Sequence, residues 1–215
     1  MDLTDPPRAS RRSAGEWLFQ FTTITVGVLI ALSFDGFLGW NADRTLVDEA
    51  RATIALEIAD NRTELDAHLA SFDERVAKLD NALKLLGELD AGVEPTVRAV
   101  SLEVHFPSLS NAGWQTAERT GAIALMQYPE VQQLAELYTL QSLFTDTLQP
   151  AFLAANHAGA ILSATADPYA MPPPARDAMR ARVLELRAYL DLGRQLGEQL
   201  ADGYMSYEAE TARAK

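Results

Sequence analysis

Three histidines, His68, His105 and His157, are the only imidazoles in the chain, and cysteine is absent. Without a thiol there is no disulfide, no zinc–cysteine site and no cysteine nucleophile. Glu64 and His68 stand four residues apart, on one face if the segment is helical. They read as a surface pair rather than as half of a metal site. A di-metal centre in a helical bundle takes two inward-facing Glu-x-x-His motifs, and the sequence contains none. His157, after Asn156, reads as a structural histidine. No glycine-rich phosphate loop, glycine-flanked serine or His-Glu-x-x-His is found. Carboxylates are plentiful, thirty in all, but an acid–base pair is defined by mutual geometry, which these spacings do not supply. The expectation is no catalytic residue, no cofactor, no metal ligand and no enzyme. Trp114 is the one site-like side chain. It follows Gly113 at an expected helix start, and its indole N–H needs a partner if buried. It reads as a core aromatic pinning two helices, with contact to a ligand or partner as the alternative.

The elements that must position these residues begin with an apolar run. Residues 17–34, WLFQFTTITVGVLIALSF, carry no charge. Eighteen residues at helical rise span about 27 Å, close to the ~30 Å hydrocarbon core of a bilayer. Trp17 and Trp40 then fall at the two interfaces, where amphipathic rings are favoured. The reading is a single transmembrane helix over 16–40 behind a short tail, 1–15. A cleaved signal peptide is the competitor, with Arg8, Arg11 and Arg12 as its basic region and Ala31-Leu32-Ser33 as a cleavage site. The run is long for that, and helical patterning resumes directly after Trp40. Arg11-Arg12 lack the apolar residues that follow a twin-arginine signal. The arginines before the run place the N-terminus in the cytoplasm and residues 41–215 in the periplasm or outside the cell. Thr23, Gly27, Ala31 and Asp35 recur every four residues, a face on which a second helix could approach closely. Asp35 reads as an interfacial residue.

Beyond the anchor, Ile54, Ile58, Leu65, Leu69, Phe72, Val76, Leu79, Leu83 and Leu86 keep helical spacing, with Asn61 or Arg62 in the gap. They predict one helix over 41–90, about 75 Å long, packing within a bundle or as a coiled coil. Residues 90–95, DAGVEP, end it. Residues 96–106 fit a short helix or a strand. Ser110 or Asn111 reads as the N-cap of a helix through Trp114 that ends near Gly121. Pro129 suits the first turn of a helix over 129–165, which Pro150 must kink or divide. Pro172-Pro173-Pro174 reads as a stiff polyproline connector, and a last helix runs over about 175–209 before a frayed tail, 210–215. The fold expected is all-α: an antiparallel bundle of about four main helices over 41–209, outside the membrane.

The chain of 215 residues carries a net charge of −12; residues 41–215 hold 15 basic and 26 acidic side chains, a net of −11. Such a domain is repelled by nucleic acid, so a nucleic-acid partner is not expected. Arginine outnumbers lysine 15 to 3, a composition that suits a GC-rich bacterial genome.

Several short motifs stand together: Gly27-Val-Leu-Ile-Ala-Leu32, Asp35, Trp40 and Asn41; then Leu56, Glu57 and Asn61; then Trp114-Gln-Thr-Ala117, Gly121, Leu137 and Tyr138. Over residues 16–145 this pattern resembles a family of small bacterial single-pass membrane proteins with a domain of unknown function. The resemblance implies an inner-membrane protein whose helical domain lies outside the cytoplasm, with a tryptophan helix meeting the next helix, and supplies no catalytic residues. The function expected is a membrane-tethered interaction module, bound to the lipid bilayer through residues 17–40 and to itself or another envelope protein. The alternative is a small-molecule sensor or binding domain acting through a partner protein.

Overall fold

The computed structural model describes residues 14–97, 100–102 and 106–213, and only the backbone of 14–16, 20 and 31–38. The arginines of the N-terminal tail, His105 and the side chains of Ala31 and Asp35 lie outside the described residues. Among the described residues all regular structure is helical: α1 (Ala14–Ala70), α2 (Phe72–Asp90), α3 (Ala112–Thr120), α4 (Ala122–Leu125), α5 (Tyr128–Ala164) and α6 (Pro173–Arg213), with a 3-10 turn at Pro168–Ala170. The all-α expectation holds. The chain divides into two compact units, one ending at Asp48 and one beginning at Glu49.

In the first unit, α1 exposes Leu18, Phe19, Phe21, Ile24, Val26, Val28, Leu29 and Ile30. At 100° per residue these positions point all round the helix. The hydroxyls of Thr22 and Thr23 donate to the carbonyls of Leu18 and Phe19, one turn back. Among the described residues, no helix is long and apolar enough to cross a membrane. The apolar run 17–34 includes Gln20 and residues 31–34, whose side chains lie outside that description.

The second unit is built on three long rods, α1 continuing into α2, then α5, then α6, with the short α3 and α4 beside them; each of the four expected helices is present. Arg62 of α1 pairs with Glu208, and Asp73, Asp80 and Asp90 of α2 pair with Arg194, Arg187 and Arg176 of α6. These partners run in opposite chain directions, so α6 is antiparallel to the first rod. Arg51–Glu130 and Glu57–Tyr138 run in the same direction, so α5 is parallel to it. The core follows the apolar stripes. On α6, Met179, Val183, Leu186, Leu190, Gly193, Gly197 and Leu200 are all buried, in steps of three and four as a helix facing two neighbours requires. Gly193 and Gly197 admit Leu148, Leu69 and Phe144 to within about the reach of a methyl group.

Several expectations are corrected. The helix over 41–90 is broken at Ser71. The His68 carbonyl there accepts from the Ser71 hydroxyl at 3.0 Å and the Arg75 guanidinium at 2.6 Å, so side chains take up the group that a continuous helix would bond. His68 is not a surface residue: it is 8% exposed, packs edge-on against Phe144 at 6.0 Å, and its Nδ1 lies 3.1 Å from Arg75. Pro173 and Pro174 are not polyproline connector but the first turn of α6, where a missing N–H costs nothing. That helix runs on to Arg213, so residues 210–213 are helix, not frayed tail. Pro150 sits inside α5 without dividing it. The described part of 96–106 is neither helix nor strand; Thr96 is tied to Glu88 through its N–H at 2.8 Å and its hydroxyl at 2.5 Å, and Phe106 meets Phe152 edge-on at 5.9 Å.

Candidate functional site

Of the residues that carry the resemblance, Glu57, Asn61, Trp114 and Tyr138 come together in the second unit. Glu57 and Asn61 stand one turn apart on α1, facing the start of α3. Of the two expected caps, Asn111 occupies the N-cap position but makes no capping bond, while the Ser110 hydroxyl accepts from the Ala112 N–H at 3.3 Å. Glu57 caps from across the unit. Its carboxylate accepts from the Gly113 N–H at 2.8 Å and, at longer range, the Trp114 N–H at 3.4 Å, two of the amides a helix start leaves without intrahelical partners. A negative charge there also meets the favourable end of the helix dipole. The same carboxylate accepts from the Ser110 hydroxyl at 2.7 Å and the Tyr138 hydroxyl at 2.6 Å. A methyl group on Gly113 would stand 3.2 Å from Glu57 and 3.3 Å from Thr53, so the glycine permits the approach.

Asn61, almost fully buried, grips the backbone of Ser110 with both ends of its amide. Its Oδ1 accepts from the Ser110 N–H and its Nδ2 donates to the Ser110 carbonyl, each at 2.7 Å. Gln141 of α5 donates to that carbonyl at 2.8 Å, and its Oε1 accepts from the Tyr204 hydroxyl of α6 at 2.8 Å. One loop residue is thus tied to all three rods. Trp114 is half-buried and stacks on Tyr138, with ring centroids 5.3 Å apart and planes 23° apart. Trp114 thus joins α3 to α5 and keeps part of its surface exposed.

Burial pushes the Glu57 carboxyl up, but hydrogen bonds from the Gly113 N–H, the Tyr138 and Ser110 hydroxyls and the Trp114 N–H outweigh it, and its pKa lies below the ordinary carboxylate value. Burial, with the neighbouring Glu57 carboxylate, raises the Tyr138 phenol. Burial also raises Tyr204. The chemistry of this arrangement is fixation. Four donors surround one carboxylate, so its charge is committed to holding α3 and its lone pairs are taken.

Of the residues expected to form the transmembrane packing face, Thr23 and Gly27 lie in the exposed part of α1, and Gly27 has open space where a side chain would be. The side chains of Ala31 and Asp35 lie outside the described residues. Sequence reasoning missed Gln141 and Tyr204, and read Ser110 only as a possible N-cap. The available signal was two amides, at 61 and 141, each on the apolar stripe of its helix. Among the described residues no group of three or more histidine, aspartate or glutamate side chains is placed to hold a metal. No family model, curated protein or solved structure matches this chain.

Proposed function

We propose that this protein is a membrane-tethered interaction module: residues 17–40 lie in the bilayer, and the helical unit beyond them binds a second copy or another envelope protein. The observation that carries the reading is the all-round apolar surface of α1, with Leu18, Phe19, Phe21, Ile24, Val28 and Ile30 turned outward. A helix apolar on every side is at home in lipid or in a large core, and the two threonine hydroxyls satisfied within their own helix suit a medium without water. Leu56, Leu143, Phe152, Leu153 and Leu184 give the second unit exposed apolar contacts. The resemblance to bacterial single-pass proteins supports an inner-membrane location with the N-terminus in the cytoplasm.

Fractionation followed by mass determination tests this. The full-length tagged protein is expected to stay with membranes through an alkaline carbonate wash, to need detergent for release, and to elute as a stoichiometric homo- or hetero-oligomer. Release by carbonate alone would overturn the tether, and a strict monomer without a partner would overturn the interaction role. Cysteine labelling near residues 90 and 170 tests the orientation; protection from an impermeant reagent applied outside would reverse it.

A further inference from the structure

Asn61, His68 and Arg75 are all buried and recur every seven residues, so one line along the first rod carries polar groups into the core. Asn61 holds Ser110. His68 and Arg75 meet each other at the joint between α1 and α2. A guanidinium only donates, so the His68 Nδ1, 3.1 Å from Arg75, accepts and carries no proton of its own. The same guanidinium donates to the His68 carbonyl at 2.6 Å, which the Ser71 hydroxyl also reaches at 3.0 Å. The side chain that requires a neutral Nδ1 is therefore the one that holds the helix broken. Phe144 of α5 closes over the ring edge-on.

A proton on Nδ1 would point at a group with no lone pair. It would also set two positive charges face to face where little water screens them. Other charged groups flank the joint. On α2, Glu74 pairs with Lys78 at 2.8 Å. On α6, Arg194 pairs with Glu198 at 2.8 Å and lies 3.7 Å from Asp73 of α2. On α1, Glu64 stands one turn before His68, within reach of a charged imidazole that turns outward. We propose that His68 and Arg75 make the α1–α2 joint a proton-operated switch, clamped with the helix broken while the imidazole is neutral and released when acid charges it. On release Arg75 is expelled, the imidazolium turns to Glu64, and the His68 carbonyl returns to the backbone N–H four residues on. The open joint takes up the proton more readily than the closed one. The closed form is thus favoured above the ordinary histidine value, about 6.5, and is lost as pH falls below it.

The absence of cysteine allows spin labels at Ala59→Cys and Ala77→Cys, exposed positions on either side of the joint, in the full-length protein in detergent. His105→Gln and His157→Gln leave His68 as the sole imidazole. Pulsed electron spin resonance is expected to give one distance distribution at about pH 7.5 and a second population at about pH 5.5, a window above the ordinary carboxylate range. The open-to-closed ratio should rise by up to about tenfold per pH unit, as uptake of one proton requires, and the first distribution should return on neutralisation. His68→Asn, whose Oδ1 accepts from Arg75 but takes no proton, is expected to keep the first distribution throughout. Arg75→Gln is expected to abolish the response by the other route, since no fixed charge then opposes the proton. One unchanged distribution in the parent, or a parent-like shift in either variant, would overturn the switch. So would loss of helical circular dichroism across the window, which would mean general unfolding rather than release of one joint.

Discussion

The Glu57 carboxylate stands 2.8 Å from the amide of Gly113, a residue 56 positions further along the chain. A helix nine residues long, too short to be stable alone, is thereby started by a charge on another helix. Glu57→Gln keeps the shape but turns amide hydrogens toward groups that themselves donate. It is expected to cost about 1–3 kcal/mol of stability, the scale for leaving buried polar groups unpaired. Tyr138→Phe removes one of four donors and should cost nearer 1 kcal/mol. Denaturant titration of the full-length protein in detergent, followed by circular dichroism, checks both. Equal stability of Glu57→Gln and the parent would show that the carboxylate does not hold α3.

The same contact predicts a pH dependence. The folded-state pKa of Glu57 is lowered, so the unfolded chain binds its proton more readily. The stabilisation is fully present above the unfolded value, near 4.5, and is lost as pH falls through the lower folded value. Denaturation midpoints measured from neutral pH down through that window should fall in the parent, and less steeply in Glu57→Gln. Parallel curves would assign the acid sensitivity to other carboxylates.

What the sequence made legible follows from which forces are local. The apolar stripes and the punctuation by Gly121 and Pro129 depend on neighbours three or four residues away, and the helices they imply are present, Gly121 taking the left-handed conformation at φ 81° that ends α3. Asn61 was visible as the residue filling a gap in a stripe. Its role was not, because its partner Ser110 is 49 positions distant. The break at Ser71 left no glycine or proline to mark it; it depends on Arg75 folding back onto the His68 carbonyl. His68 itself looked like a surface partner of Glu64, since helical spacing gives neighbours but not the direction of the core. Thr96, at the start of the stretch that fitted helix or strand equally, gives its N–H to the Glu88 side chain eight positions back, a contact that no local period signals.

Glycines in helices divide by what surrounds them. Gly87 in α2 and Gly159 in α5 would each gain a methyl group with nothing within 4 Å of it. Alanine there restricts the unfolded chain and adds no clash, so each substitution should stabilise by about 0.5–1 kcal/mol. Gly197 differs. A methyl group would stand 3.1 Å from Leu69 and 3.2 Å from the ring of Phe144, which is fully buried and held against His68. Overpacking of this kind costs about 1–3 kcal/mol and should outweigh the helical gain, so Gly197→Ala is expected to destabilise. Thermal melts of the three variants decide the matter, and a stabilised Gly197→Ala would mean that α6 packs more loosely than these distances imply.

The ion pairs between α2 and α6 pose the opposite question, of contacts that look strong and contribute little. Arg187 with Asp80 and Arg194 with Asp73 bridge the two helices, and at least one partner in each pair is largely exposed. Charges in that setting gain little in water and give up side-chain freedom, leaving about 0–1 kcal/mol per pair. A double-mutant cycle on Arg187→Ala and Asp80→Ala should therefore return a coupling below about 1 kcal/mol, shrinking further in high salt. The apolar stripe beside it should behave otherwise: Leu186→Ala, one position away and fully buried, is expected to cost about 2–5 kcal/mol. If the Arg187–Asp80 coupling rivals the loss at Leu186, the register of α6 is set by charge rather than by the fit of its apolar face, and the order of forces in this bundle is reversed.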